Sequence, residues 1–233
     1  MRLDKLVADS ALVTRSEARA LIKKGLVLVD GEVVKDIAAK VDEKSTFTVN
    51  GKSVSYKKYI YIMLNKPAGY ISATEDKKQK TVMELLDPSF KRYPLFPAGR
   101  LDIDTEGFLL ITNDGNLAHN LLSPSKKVGK TYYVKYESPI SDEALEMFER
   151  GVDIGECVTK PAKTKRLSDV EIYLTISEGK FHQIKRMAIV AGTKVAYLKR
   201  MAYGGLWLDE SLKTGEYKVL SESDMTLIYN VYK

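Results

Sequence analysis

The chain has 233 residues, with 37 Lys+Arg against 31 Asp+Glu and a formal net charge of +6, a length that suits one catalytic domain with a small appendage. A single cysteine, Cys157, excludes an internal disulfide, and one cysteine with two histidines is a poor donor set for zinc. No apolar run approaches the ~20 residues of a membrane span and the N-terminus is not signal-like, which points to a soluble cytoplasmic protein without a metal.

In chain order, Leu3, Leu6 and Val7 put apolar side chains on one face of a short helix. Thr14 and Glu17 have the spacing of a capping box, which predicts a second helix through Ala18, Leu21 and Ile22 to Lys24, ended by Gly25. The apolar run 26–29, the pair Asp30-Gly31 and then Val33-Val34 predict a hairpin, and residues 47–49 with Val54 add strand. On the second helix Arg15, Arg19 and Lys23 are spaced by four and form one basic stripe, with Lys24 beside it and Arg2 and Lys5 upstream. Such a stripe is usually solvated surface; the alternative is a phosphate-contacting face. Residues 51–60, polar and basic at first, read as a linker. The expected division is 1–58 and 59–233.

The second unit opens with a strand at 59–64 and a turn, Asn65-Lys66-Pro67-Ala68-Gly69. Further strands are expected at 108–112, 132–136, 171–176, 195–200 and 217–220, and helices at 81–86, 117–122, 142–150 and 182–190. The mixture lacks strict βαβ alternation, so the expected class is α+β with a mostly antiparallel mixed sheet and flanking helices.

The segment Arg2-Leu3-Asp4-Lys5, Thr14 to Ala18, Ile22 to Val27 and Val29 to Val34 resembles the small RNA-binding domain of ribosomal protein S4. The resemblance implies a helix pair that grips structured RNA, with Arg2, Lys5, Arg15, Ser16, Arg19, Lys23 and Lys24 as candidate contacts.

Gly99-Arg100-Leu101-Asp102-Ile103-Asp104-Thr105-Glu106-Gly107 is an acidic turn that feeds an apolar strand and then Thr112-Asn113-Asp114-Gly115. Two aspartates two apart could hold a metal, could act as a nucleophile and helper, or could be turn residues; spacing alone ranks the turn reading first. The whole run resembles the signature of the pseudouridine synthases, which isomerise uridine in RNA from an N- to a C-glycoside. Asn65 to Gly69, Lys130-Thr131-Tyr132, Glu178 to Met187, Leu198-Lys199-Arg200, Gly204-Gly205-Leu206 and Leu212 to Tyr217 follow in that family's order. The resemblance implies a cofactor-free enzyme in which Asp102 is the catalytic carboxylate, Tyr132 holds the flipped base and Lys185 is the basic partner of Asp102. Arg100 is a second cation, aimed at phosphate or at opening the RNA, and Asp104 is the lesser acid. Tyr133, on the other side of the strand, is expected in the core.

Phe181 to Arg186 and Ser123-Pro124 lean toward the family's small-subunit type, which implies action on 16S rRNA, free or in an assembly intermediate; nothing in the sequence marks an oligomer interface, so a monomer is expected. The same motifs serve large-subunit relatives acting on 23S rRNA. A non-catalytic rRNA-binding factor and a two-aspartate metal hydrolase are the remaining alternatives.

Overall fold

A computed structural model describes residues 1–11, 13–54, 56 and 58–230. The chain divides into two compact units, Met1–Tyr59 and Ile60–Lys233.

In the first unit α1 (Leu3–Ala11) and α2 (Arg15–Lys23) precede four short strands: β1 (Val27–Val29), β2 (Glu32–Val33), β3 (Phe47–Val49) and β4 (Lys52–Val54), in the order β2-β1-β3-β4. The predicted capping box is present: Thr14 Oγ1 accepts from Glu17 N, and Glu17 accepts from Thr14 N. Asp30-Gly31 forms the β1–β2 turn with φ of 49° and 87°, the left-handed pair a tight hairpin needs. Asn50-Gly51 does the same for β3–β4, with φ of 50° and 75°. The strand expected at Val54 is present, but the reading of 51–60 as a linker fails for Gly51 to Ser53, because an Asn-Gly turn folds that stretch back as a strand; Ser55 and Lys57 lie outside the described residues. The apolar faces of the two helices meet Val27 and Val49 in one core.

Among the described residues the second unit is a nine-stranded sheet with four α-helices. Its strands are β5 (Tyr61–Lys66), β6 (Phe96–Pro97), β7 (Glu106–Thr112), β8 (Lys130–Tyr136), β9 (Lys163–Arg166), β10 (Glu171–Ile176), β11 (Val195–Tyr203), β12 (Leu206–Trp207) and β13 (Tyr217–Val219). The order is β13-β5-β7-β11-β8-β10-β9, with β6 beside β7 and β12 beside β11. Among the strands of the described residues only β7 and β11 pair in parallel, so the sheet is mixed and mostly antiparallel, as expected. The helices are α3 (Gly115–Leu122), α4 (Asp142–Arg150), α5 (Gln183–Val190) and α6 (Glu222–Tyr229). The helix expected at 81–86 is a single 3-10 turn, Val82–Leu85, and β9 and α6 were not expected.

The central strands β5 and β7 are covered on both faces. Ile62, Leu64, Leu109 and Ile111 join Tyr132, Val134 and Ile184 in one core. Met63, Phe108 and Leu110 point the other way into a second core under α3 and α6. Double coverage is why these strands read as unbroken apolar runs rather than alternating ones. Each such buried side chain contributes ~1.5–3 kcal/mol.

The parallel seam sets the most severe local constraint. Gly107 (φ 99°) lies opposite Arg200, and an added Cβ would press on the Arg200 carbonyl oxygen and sit 2.7 Å from Arg200 N. Gly107→Ala is expected to destabilise the second unit by about 3 kcal/mol or more. Urea denaturation measures this, and a loss under about 0.5 kcal/mol, the usual range of surface changes, would contradict it.

Candidate active site

The acidic turn is held from beneath by β5. Lys66 ends that strand fully buried, and its Nζ donates to the carbonyls of Thr105 (2.8 Å), Pro67 (3.1 Å), Asp102 (3.1 Å) and Ile103 (3.4 Å). Gly69 N donates to Ile103 O, and Ser72 Oγ bonds both the N–H and the carbonyl of Leu101. The first turn and the acidic turn, 36 residues apart between Lys66 and Asp102, are thus one hydrogen-bonded unit. Burial pushes the Lys66 ammonium down to about 8, against the opposing pull of Asp104, Glu106 and Asp102.

The second wall is α5. Buried Glu178 accepts from Lys160 N and from Gln183 Nε2, and Gln183 Oε1 accepts from Lys180 N. These bonds fix the approach to the helix, whose first residue follows His182 in the left-handed region (φ 50°). Lys185, one turn later, reaches both aspartates. Its Nζ lies 2.7 and 2.8 Å from the two carboxylate oxygens of Asp104 and 3.6 Å from Asp102 Oδ2. His182 Nε2 is 3.7 Å from the same Asp102 oxygen. Burial raises the Asp104 carboxyl, and the hydrogen bond and charge of Lys185 outweigh it, so Asp104 sits below the ordinary aspartate range.

The expected pair of Asp102 and Lys185 is therefore a cluster in which the shorter bonds go to Asp104. His182 belongs to it as well, although the sequence offers it only as a poor zinc donor and as a member of the motif Glu178 to Met187. A histidine three residues before the lysine at the start of a helix was the available signal. Arg100, Asp102, Tyr132, His182 and Lys185 line one cleft, with Arg100 exposed and the Asp102 side chain 33% exposed.

Strand parity corrects the reading of the tyrosines. Tyr132 shares its face with Val134 and Tyr136 in the core and is 7% exposed. Tyr133 is the one on the opposite, half-buried face, in edge contact with Tyr173 and Tyr197. The reason is that the cleft opens over the covered face of the sheet, so the pocket side is also the core side. Across the ladder from Tyr132 lies Arg200, 1% exposed, whose Nε donates to Phe108 O at 2.6 Å. Among the described residues, no group of three or more His, Cys, Asp or Glu could hold a metal ion.

In the first unit Arg2, Lys5, Arg15, Ser16, Arg19, Lys23 and Lys24 are all exposed. Arg2, Arg15 and Arg19 converge on Asp4, whose side chain is wholly buried, at 3.1, 3.5 and 3.1 Å. The hydrogen bond from Arg2 holds the Asp4 carboxyl far below its ordinary range, and burial opposes it. One hidden carboxylate thus orders three of the seven candidate contacts.

Comparison with known proteins follows the same division. A family model described as RNA pseudouridylate synthase matches residues 60–189, and an S4 domain model matches residues 1–46. An RNA pseudouridine synthase of Bacillus subtilis, described as uncharacterized, is 51% identical over 98% of both chains. Ribosomal small subunit pseudouridine synthase A is 42% identical in Vibrio cholerae and 39% in Escherichia coli, each over 98% of this chain and 100% of the relative. A crystal structure of a pseudouridylate synthase superposes with a TM-score of 0.68 at 35% identity, over 98% of this chain and 99% of that one.

Two outcomes follow from this geometry. Lys66→Met keeps the apolar stem but strips buried carbonyls of their donor, so the second unit loses at least about 2 kcal/mol in urea denaturation; no loss would contradict the bracing. Because the ammonium of folded Lys66 sits near 8, below the ordinary lysine value of ~10.4, the unfolded chain holds the extra proton between them. The stability gap between wild type and this variant should therefore widen as pH rises through that window. For Asp4 the sign is the same, at the acid end of the scale. Its stabilisation is fully present above the ordinary aspartate value of ~3.9 and is lost only as pH falls through the depressed one. Carboxyl-carbon NMR should show Asp4 still ionised at about pH 3.5, and an ordinary midpoint would contradict the network.

Proposed function

Because the chain belongs to the RNA pseudouridylate synthase family, we propose that it converts one uridine of small-subunit ribosomal RNA into pseudouridine, with Asp102 as the reacting carboxylate and no cofactor. The observation that carries the chemistry is the position of Asp102. It lies in a cleft with Tyr132 and Lys185, on a turn braced by a buried lysine. The choice of substrate rests on full-length likeness to relatives named for the small subunit.

The reaction breaks the bond from ribose C1′ to uracil N1, turns the base, and joins C1′ to C5; the proton leaves C5 and N1 gains one. It is an isomerisation and consumes no oxidant or reductant. A stacked uridine cannot reach the cleft, so it must be flipped out of the RNA. Tyr132 offers a ring to hold the flipped base, and stacking of this kind contributes ~1–3 kcal/mol. A bound base strips water from Asp102, and a carboxylate away from water is costly unless paired; Lys185 supplies the counter-charge. Asp104 then acts as the holder of Lys185, taking its shorter bonds at the rim. Asp102 acts either by attacking the sugar or base or by removing a sugar proton. Arg100, exposed beside it, meets phosphate or the opened strand.

In this reading residues 1–58 form the RNA-gripping module and residues 59–233 the catalytic one. The exposed Arg2, Lys5, Arg15, Ser16, Arg19, Lys23 and Lys24 meet rRNA phosphates, and the protein works as a monomer in the cytoplasm on rRNA or an assembly intermediate.

The test is chemical mapping of pseudouridine on a 16S rRNA transcript incubated with the protein. Wild type should modify one site. Asp102→Asn should lose activity by at least about a thousandfold with an unchanged melting temperature, whereas Asp104→Asn should lose less than about a hundredfold. Full activity of Asp102→Asn would remove it from its role, and equal losses would show the two acids sharing it.

A further inference from the structure

Phe181 has no part in the chemistry above, yet it is 66% exposed, more than any other large hydrophobic side chain among the described residues. It is also held firmly. Its ring stacks on His182 with centroids 3.9 Å apart and an angle of 18°, and the Arg186 guanidinium lies over it at 5.6 Å. Arg186 is itself fixed by Glu156 at 3.0 Å. The residues on either side, Lys180 and His182, line the cleft. The turn that presents the ring is fastened by Lys180 and Gln183, which bond each other through both backbone and side chain. His182 keeps a left-handed backbone there, a conformation few non-glycine residues adopt unless the surroundings impose it.

We propose that Phe181, stacked on His182 beside the cleft, is a platform for the base of a nucleotide adjacent to the target uridine. Flipping one base leaves its neighbours with an uncovered face. An exposed ring in a ready-made stack, with a guanidinium alongside, is the surface that single-stranded bases take up. The stack then continues from the RNA neighbour through Phe181 to His182, whose Nε2 stands 3.7 Å from Asp102. Phe181 thereby reads the base that flanks the target uridine and contributes to the choice of site.

The inference rests on the proposed isomerisation of an rRNA uridine, and the same transcript tests it. Phe181→Ala and Phe181→Leu should raise KM between about fivefold and a hundredfold, the range expected for loss of one base stack, with kcat within about threefold of wild type. Phe181→Trp should restore KM. In RNA carrying an abasic nucleotide on one side of the target uridine, wild type should lose the same factor and Phe181→Ala should lose nothing further. An unchanged KM in Phe181→Ala, or a loss that adds fully to that of the abasic RNA on both sides of the uridine, would overturn the platform while leaving the activity in place. Failure of the wild-type protein to form pseudouridine in the transcript would remove the proposed function and the platform with it.

Discussion

The ammonium of Lys66 is the pivot of the catalytic unit. It stands at the end of a central strand, buried, and satisfies carbonyls on both sides of Asp102. An irregular acidic turn has no ladder of its own to fix it, so its backbone must find partners elsewhere. A buried lysine is a costly way to supply them, since burial alone pulls its charge away, and the nearby carboxylates help retain it. The cation thus both braces the turn and offsets part of the negative charge gathered above it.

With the turn fixed, the rest of the site is assembled from separate layers of the fold. The parallel contact between β7 and β11 needs Gly107, and β11 in turn flanks β8, which presents Tyr132 from the covered face. The approach to α5, tied by Glu178 and Gln183, delivers His182 and Lys185 to the acids. Lys185 divides its attention between two carboxylates, which leaves Asp102 the less tightly bonded of the two. In the proposed reaction that asymmetry suits Asp102 as the group that reacts while its neighbour holds the cation. In the first unit a comparable economy appears, with one buried aspartate ordering three surface arginines.

Much of this was legible in the residues. Thr14 with Glu17 and Asp30-Gly31 announced their structures because a cap and a left-handed turn each need particular side chains. Asn50-Gly51 carries the same signal, but its polar neighbours give the strand that follows the composition of a linker. At Val82–Leu85 a short apolar repeat does not distinguish a 3-10 turn from an α-helix. Ser221 and Asp224 make a capping box for α6, a signal present in the residues themselves. Ordered motifs single out Asp102, Tyr132 and Lys185, which the fold brings to one cleft. The closer bond of Lys185 to Asp104, the place of His182 and the burial of Tyr132 rather than Tyr133 depend on how distant segments meet, which no local pattern encodes.

The central claim is that this protein makes one pseudouridine in small-subunit rRNA. Site-by-site mapping of pseudouridine in both large ribosomal RNAs from cells lacking the protein tests it most directly. The account predicts that a single 16S position loses its modification, that it returns when the gene is restored, and that 23S rRNA is unchanged. Loss at a 23S position, or no loss anywhere, would contradict it.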